Sequence, residues 1–281
     1  MRSMFAFSAN LSTLFTDLPL PARFAAARSA GFEAVELQFP YAHPAEELAT
    51  CLRDAGQRLV LHNLPAGDWA AGERGIACHP DRIGEFLSGV EQAVAYAQAL
   101  GVPQLNCLAG IPPEGVGREE ALATMRANLR HASRALARHG LRLLVEPINS
   151  IDIPGFLLDR PSRAVALIED LRQTQGLDNL FLQYDVYHAQ RMEGELALSL
   201  QRWLPLIGHV QIADNPGRAE PGSGEIRYAF LFDWLERIGY AGHVGCEYFP
   251  TRKGVGGTQA GLGWLAAHGR LPSGARSGAP A

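Results

Sequence analysis

Acidic and amide side chains recur where short apolar runs of this sequence end. Glu146 stands in LLVEP, Asp185 in FLQYD, Gln211 in HVQIAD and Glu247 in VGCEY. Three carboxylates brought together in a partly dry cavity repel one another and bind protons unless a cation neutralises them. Carboxylate and amide oxygens suit a hard ion such as Mg²⁺ or Mn²⁺ better than Zn²⁺. The four residues therefore predict a site for one divalent metal ion, and a solvated acidic rim without a metal is the alternative.

Other polar side chains accompany these four residues. His188 follows Asp185 by three residues, and His62 stands in LHNLP. Arg218, in ADNPGR, could hold a carboxylate through two parallel hydrogen bonds. Taken singly, each has an ordinary interpretation as a structural histidine or a solvated arginine. Together they predict contacts from His62, His188 and Arg218 to a small acidic substrate.

The segment from Pro65 to Pro80 is longer than most connections between a strand and a helix. It contains Trp69, Glu73 and Arg74. Loops of more than about 12 residues in compact domains are often functional lids. We therefore expect this loop to cover a substrate site and Trp69, Glu73 and Arg74 to contact the substrate.

Short apolar runs alternate with amphipathic stretches along the chain. The predicted strands are Met4–Ala9, Ala34–Phe39, Arg58–His62, Gln104–Leu108, Leu141–Glu146, Leu180–Asp185, His209–Ala213 and Val244–Tyr248. The predicted helices are Pro21–Ala30, Ala45–Ala55, Asp81–Leu100, Glu119–His139, Ser162–Gln173, Glu195–Leu204, Tyr228–Ile238 and Gln259–His268. Strands that alternate with helices favour a parallel sheet. Eight such units predict an α/β protein with a single (β/α)8 barrel, whose catalytic groups stand at the carboxyl ends of the strands. A doubly wound open sheet is the alternative, but no GxGxxG follows the first strand.

The barrel accounts for residues 1–269 as one domain. The remaining residues 270–281 are rich in Gly, Pro, Ser and Ala, so we expect a disordered tail.

Composition excludes several classes of protein. The chain has 281 residues and a formal charge of −4, which gives no broad attraction to nucleic acid or to an anionic membrane. Its four cysteines form no CxxC pair, which is typical of reduced thiols. The beginning of the chain lacks an apolar signal segment, and no apolar run is long enough to span a bilayer. We expect a cytoplasmic protein without a membrane or nucleic-acid partner.

Several longer stretches resemble the hydroxypyruvate isomerase family, a branch of the xylose-isomerase-like TIM barrels. The resemblance covers residues 7–268 and rests on HNLPAGDWAAGERGIAC (62–78), EPIN (146–149), IPGF (153–156), QYDVYHAQRMEGEL (183–196), GHVQIADNPGRAEPGSGEI (208–226) and VGCEY (244–248). It implies that Glu146, Asp185, Gln211 and Glu247 bind one divalent metal, and that Glu146 and Glu247 are the acid/base pair. It also implies that hydroxypyruvate and tartronate semialdehyde are interconverted by metal-assisted proton transfer through an enediolate. Related epimerases carry histidine at the position of Gln211.

Four alternatives remain open at this point. A 2-oxo-tetronate isomerase shares the same motifs. A ketose 3-epimerase shares the ligands, but Arg218 favours an acidic substrate over a neutral sugar. A nucleic-acid enzyme on this scaffold would need a basic groove, and a sugar-binding protein would not need two facing glutamates. A homo-oligomer is compatible with the sequence, which defines no interface.

Overall fold

The computed structural model describes residues 4–267 of the chain, so the predicted tail at residues 270–281 lies outside the described residues. Its eight strands are all parallel and follow one another in order around a closed barrel, β1-β2-β3-β4-β5-β6-β7-β8. The strands are β1 Ala6–Asn10, β2 Ala34–Glu36, β3 Arg58–Asn63, β4 Gln104–Leu108, β5 Arg142–Glu146, β6 Leu180–Asp185, β7 Ile207–Ile212 and β8 His243–Cys246. Closure comes from β8 pairing with β1, where Ala6 lies beside His243. The predicted (β/α)8 barrel is confirmed.

Helices connect the strands on the outside of the barrel. They are α1 Leu20–Ser29, α2 Ala45–Ala55, α3 Ile83–Leu100, α4 Arg118–Ala137, α5 Pro161–Gln175, α6 Val186–Met192, α7 Leu196–Trp203, α8 Tyr228–Arg237, α9 Gly257–Gly261 and α10 Gly263–Ala267. Short 3-10 turns occupy Pro40–Ala42, Pro80–Arg82 and Leu204–Leu206. Within residues 4–267, no helix is both long and apolar enough to cross a bilayer.

Two helical segments differ from the sequence prediction. The short helix α6 was not predicted; it begins directly after β6 because the Asp185 side chain caps it by accepting the N–H groups of Tyr187 and His188. The predicted helix Gln259–His268 is instead two short helices separated at Leu262, and its last residue lies outside the described part of the chain.

Most of the core lies between the barrel and the helices. On α2, Leu48 and Leu52 are four residues apart, so both fall on the face of the helix that packs against the barrel. That helix ends at Gly56, whose φ of 60° is a left-handed conformation that glycine adopts without steric cost. A smaller apolar cluster, made of Ala34, Val60, Leu61 and Leu144, is also buried.

The parallel register brings the carboxyl ends of the strands to one rim. In that register Glu146 stands beside Leu108, and Asp185 stands beside Gln211. Gln211 in turn lies beside Gly245, where an added Cβ would meet both carboxylate oxygens of Glu36 at 2.4 Å. A glycine is therefore required at this position to leave room for a charged side chain inside the barrel.

Candidate active site

A cavity of about 340 Å³ opens at the carboxyl ends of the strands. It is lined by Gln38, Asn63, Trp69, Arg74, Leu108, Glu146, Ile148, Asp152, Ile153, Tyr187, His188, Arg218, Glu247 and Phe249. A wider cleft of about 680 Å³ lies near the amino ends of β3 and β8, and its lining includes Arg58 and His243 but no carboxylate. Active sites of such barrels stand at the carboxyl end, so the smaller cavity is the candidate site.

Three buried carboxyl groups stand at or beside this cavity. Glu146 and Asp185 are the last residues of β5 and β6, and Glu247 directly follows β8. Glu146 Oε2 accepts a hydrogen bond from Asn106 Nδ2 at 2.9 Å. Asp185 Oδ1 accepts from the N–H of Tyr187 at 2.7 Å, whereas its Oδ2 is buried and has no hydrogen-bond partner among the described residues. A buried carboxylate oxygen left free beside other acids is the environment that a cation stabilises.

Glu247 is held by three side chains. Its Oε1 accepts hydrogen bonds from Asn10 Nδ2 at 3.0 Å and from Gln38 Nε2 at 2.9 Å. Its Oε2 accepts from Arg218 Nη2 at 2.7 Å, and the same nitrogen lies 3.7 Å from Asp185 Oδ2. Arg218 therefore supplies positive charge to two of the three carboxylates.

The mutual repulsion of these acids appears in their pKa values. Burial raises the pKa of Glu146 well above its ordinary value, and the charges of Glu247 and Asp185 raise it further. Burial also raises the pKa of Asp185 and brings that of Glu247 to about 7, although Arg218 opposes both shifts. Burial and mutual repulsion thus favour the protonated forms of these groups in the absence of another cation. The residues fit a divalent ion, which would displace those protons.

A ring nitrogen of His188 lies close to both Glu146 and Asp185. One oxygen of Glu146, one oxygen of Asp185 and one ring nitrogen of His188 lie within 4.8 Å of one another. The Nε2 atom is 3.9 Å from Glu146 Oε1 and 3.7 Å from Asp185 Oδ2. Burial, followed by the charges of Arg218 and Arg191, lowers the pKa of His188 well below its ordinary value. The imidazole is therefore neutral at physiological pH.

Gln211 lies deeper in the barrel, outside the cavity lining. Its Nε2 donates to Glu36 Oε1 at 2.8 Å, and its Oε1 accepts from Gln183 Nε2 at 2.6 Å. The Glu36 carboxylate can only accept, so it fixes which end of the amide is nitrogen. An amide oxygen has two lone pairs, so one remains for a cation after the bond from Gln183.

Glu36 anchors this deeper layer. Its Oε2 lies 2.8 Å from His209 Nε2 and accepts from Ser8 Oγ at 3.1 Å, while Asn10 Nδ2 donates to its Oε1 at 3.1 Å. Burial acts to raise the pKa of Glu36, but the charge of His209 and the hydrogen bonds from His209, Gln211 and Asn10 bring it below the ordinary value. The ionised group links Gln211 to Glu247, because Asn10 donates to both carboxylates.

The loop after β3 brings two of its three predicted side chains to the cavity. The Trp69 ring packs on Phe39, with centroids 5.0 Å apart, and the Arg74 guanidinium lies 4.3 Å above the Trp69 ring. Glu73 is not among the lining residues, because its carboxylate is bound by Arg82 and by the N–H of Asp68. Glu73 thus holds the loop in place.

The structure does not bring His62 to the cavity. Successive strand residues point to opposite faces, and the next residue, Asn63, lines the cavity. His62 is fully buried, with its ring edge-on to Tyr41 at 5.9 Å and its Nδ1 3.1 Å from the carbonyl oxygen of Asn63.

Sequence reasoning missed several residues of this site. Gln38 lies near the end of the predicted second strand, and Asn149, Asp152 and Tyr187 lie within or beside the motifs EPIN and QYDVYH. The motifs identify these stretches, but nothing in the sequence indicates that Asp152 and Tyr187 contact each other. In the structure the Tyr187 hydroxyl donates to Asp152 Oδ2 at 2.7 Å.

Comparison with known proteins adds to this geometry. The model of the xylose isomerase-like TIM barrel family matches residues 24–268. Hydroxypyruvate isomerase of Escherichia coli (strain K12) is 51% identical over 262 residues, which cover 93% of this chain and 98% of the relative. The chain belongs to the hydroxypyruvate isomerase family. The 2-oxo-tetronate isomerase of Cupriavidus necator (strain H16) is 42% identical over 259 residues, 92% of this chain and 96% of the relative.

The fold of this hydroxypyruvate isomerase family member is also found in a solved structure. A crystal structure titled AP endonuclease, family 2, from Brucella melitensis has a TM-score of 0.88 and 42% identity, and covers 94% of this chain and 98% of its own. Both the isomerase relatives and this structure span nearly the whole length of the chain.

Proposed function

We propose that the protein is an isomerase that interconverts hydroxypyruvate and tartronate semialdehyde. The observation that carries this proposal is the pair of buried glutamates, Glu146 and Glu247, on the wall of one small cavity with Asp185 and Arg218 beside them. Two carboxyl groups can remove and return protons when their pKa values lie near the working pH, and burial raises both here. The E. coli relative carries the name of this activity.

The reaction moves one hydrogen between neighbouring carbons. A base removes a proton from C3 of hydroxypyruvate, which gives an enediolate, and an acid delivers a proton to C2. Proton exchange between the two oxygens completes tartronate semialdehyde, so no redox partner is needed. We assign Glu146 and Glu247 to these transfers, which typically contribute about 10²–10⁴-fold to the rate.

We further propose that Glu146, Asp185, Gln211 and Glu247 hold one divalent ion, Mg²⁺ or Mn²⁺. When bound, such an ion supplies electrostatic stabilisation for the negative charge of the enediolate. Oxygen donors alone favour these hard ions. The free Oδ2 of Asp185 and the raised pKa values of the carboxyl groups support this assignment.

Other residues of the cavity recognise the substrate. The Arg218 guanidinium lies 5.4 Å from the Tyr187 ring and 5.8 Å from the Phe249 ring, at a position from which it can bind a carboxylate through two hydrogen bonds. Trp69 and Arg74 line the cavity, and we assign to them the exclusion of water from the enediolate. The volume of 340 Å³ is near the low end of the roughly 300–1,000 Å³ typical of ligand pockets, which suits a small acid.

A second candidate substrate is a 2-oxo-tetronate, which is one carbon longer and undergoes the same proton transfer. The name and the 42% identity of the Cupriavidus necator relative favour it. A neutral ketose has no carboxylate for Arg218 to bind. Nucleic acid gains no broad attraction from a chain of formal charge −4, despite the name of the Brucella melitensis structure.

The test is a comparison of substrates with the metal content controlled. Metal-depleted protein is reloaded with Mg²⁺ or Mn²⁺ and offered hydroxypyruvate, a 2-oxo-tetronate, a neutral ketose or DNA with an abasic site, and products are followed by NMR or by gel. We expect turnover of an oxo-acid that chelation abolishes and metal restores. Cleavage of the DNA or epimerisation of the ketose without turnover of either acid would contradict the proposal. So would full activity in protein that elemental analysis shows to be free of metal.

A further inference from the structure

The orientation of the Asn149 side chain is fixed by backbone groups. Its Oδ1 accepts hydrogen bonds from the N–H of Ile151 at 3.1 Å and from the N–H of Asp152 at 2.8 Å. Two N–H donors require an oxygen at this position, so the other end of the amide must be the NH₂ group. Asn149 is fully buried, which leaves its NH₂ group no access to solvent.

The NH₂ group of Asn149 points at a ring nitrogen of His188. Asn149 Nδ2 lies 2.6 Å from His188 Nδ1, and the backbone nitrogen of Asn149 lies 3.4 Å from the same atom. Both groups are donors, so His188 Nδ1 must accept. A neutral imidazole that accepts at Nδ1 carries its proton on Nε2.

Neighbouring groups keep Asn149 in this role. Its Nδ2 also lies 3.0 Å from Asp152 Oδ2, which accepts a second hydrogen bond, from the Tyr187 hydroxyl, at 2.7 Å. Arg191 Nη1 donates to the Tyr187 hydroxyl at 2.9 Å and lies 3.7 Å from Asp152 Oδ1. The carboxylate of Asp152 can only accept, so it reinforces the donor at Asn149 Nδ2.

The other nitrogen of His188 faces the cavity. Nε2 is buried, has no hydrogen-bond partner in the described part of the chain, and lies beside Asp185 Oδ2 and Glu146 Oε1. An Nε2 that carries a proton has no lone pair for a metal. Of the group formed by Glu146, Asp185 and His188, only the two carboxylates can therefore be metal ligands.

We propose that Asn149 is a positioning residue that holds His188 as the Nε2–H tautomer. His188 then donates a hydrogen bond to a substrate oxygen on which negative charge develops, and it does not bind the metal. The second part rests on the proposed isomerase function, whereas the tautomer is a property of the free protein. Loss of one preorganised donor to a developing oxyanion costs about 10²–10³-fold in kcat.

The tautomer can be measured without substrate or metal. Protein labelled with ¹⁵N-histidine gives long-range ¹H–¹⁵N spectra that distinguish a protonated from an unprotonated ring nitrogen, and signals are assigned by removing one histidine at a time. We expect His188 to carry its proton on Nε2. His62 is an internal standard of the opposite tautomer, because its Nδ1 lies 3.1 Å from a carbonyl oxygen. A proton on Nδ1 of His188 would overturn the positioning role whether or not the enzyme acts on hydroxypyruvate.

The variant Asn149→Asp replaces the NH₂ donor by a carboxylate oxygen in a side chain of nearly the same shape. It keeps an oxygen for the two backbone N–H groups but places an acceptor against His188 Nδ1, so the proton should move to Nδ1. We expect kcat to fall about 10²-fold, while Mn²⁺ affinity measured by calorimetry changes less than threefold. Combining it with Asp152→Asn removes the repulsion between two carboxylates and should restore the midpoint of unfolding but not the tautomer.

Asn128→Asp is the matched control. Asn128 is equally buried but donates to the carbonyl oxygen of Ala77, outside the cavity lining. This variant should lose stability and keep the Nε2–H tautomer of His188. A switched tautomer in Asn149→Asp with unchanged kcat would overturn the donor role of His188. A correct tautomer in a protein that turns over no oxo-acid would instead contradict the proposed function alone.

Discussion

Replacement of Arg218 by methionine should strengthen metal binding and weaken substrate binding. The guanidinium lies 2.7 Å from Glu247 Oε2 and 3.7 Å from Asp185 Oδ2, oxygens of two carboxylates that we assign to the metal. It thus competes with the ion for the same carboxylates. Methionine keeps most of the apolar stem of arginine and removes only the charge.

The size of this effect follows from the distances. Two unit charges about 4 Å apart interact by about 4 kcal/mol at an effective dielectric constant of 20. Protons partly replace the lost guanidinium, because Arg218 opposes the rise in the pKa of Glu247, which stands at about 7. We therefore expect a net gain of about 1.4–2.8 kcal/mol, equivalent to a 10- to 100-fold rise in metal affinity.

The pH dependence has a definite sign. Above pH 7 Glu247 loses its proton, so Arg218 is the main competitor of the metal and its removal has its largest effect. Below that pH protons occupy the carboxyl groups in both proteins, so the difference in affinity should shrink. Calorimetric titration with Mn²⁺ at pH 8 and at pH 6 measures both values.

Arg74→Met provides the control for this experiment. Arg74 also lines the cavity, but its two hydrogen bonds go to the backbone carbonyls of Trp69 and Glu73. It should leave metal affinity unchanged, whereas Arg218→Met should also raise KM for hydroxypyruvate more than tenfold. Equal or weaker Mn²⁺ binding by Arg218→Met at pH 8 would refute the competition.

Three further predictions concern the ligands, the loop and the pH dependence of stability. Asp185→Asn removes a ligand charge but no proposed base, so excess metal should restore much of its lost activity, and a loss independent of metal concentration would contradict that role. With the other tryptophans replaced by phenylalanine, Trp69 fluorescence should change when a substrate analogue binds; an unchanged signal together with normal kinetics of Arg74→Ala would exclude a lid. Burial lowers the pKa of His62 to about 4, so its imidazole stays neutral in the folded state, whereas in the unfolded chain it binds a proton below about pH 6.5. The free energy of unfolding should therefore fall by about 3 kcal/mol from this residue between pH 6.5 and 4, and urea titrations of His62→Gln should show a shallower decrease.

Strand periodicity made most of the barrel predictable. The predicted strands Gln104–Leu108 and Leu180–Asp185 coincide with β4 and β6, since buried parallel strands are short apolar runs with clear ends. Helix α6 was missed because it starts without a linker, capped by Asp185, the same residue that ends β6. A side chain that both ends a strand and caps a helix leaves no loop signal between the two.

The acidic part of the site was also predictable, because the carboxyl ends of parallel strands converge on one rim. The face of a strand on which a residue lies was not predictable. His62 was expected to reach the substrate but lies behind the cavity wall, whereas the next residue, Asn63, lines the cavity. Glu73 could not be placed either, since its partner Arg82 belongs to the turn that follows the loop. The contact between Asn149 and His188 joins residues 39 apart and depends on packing of the β5 loop against α6.

The turnover of Glu247→Gln at saturating metal measures whether Glu146 and Glu247 transfer the protons. Glutamine keeps one oxygen ligand at this position, but it cannot accept or deliver a proton at neutral pH. We expect kcat for hydroxypyruvate to fall by at least about 10²-fold, the lower bound for positioned acid/base catalysis, with most of the metal still bound. Near-normal turnover by this variant with metal bound would contradict the two-glutamate mechanism.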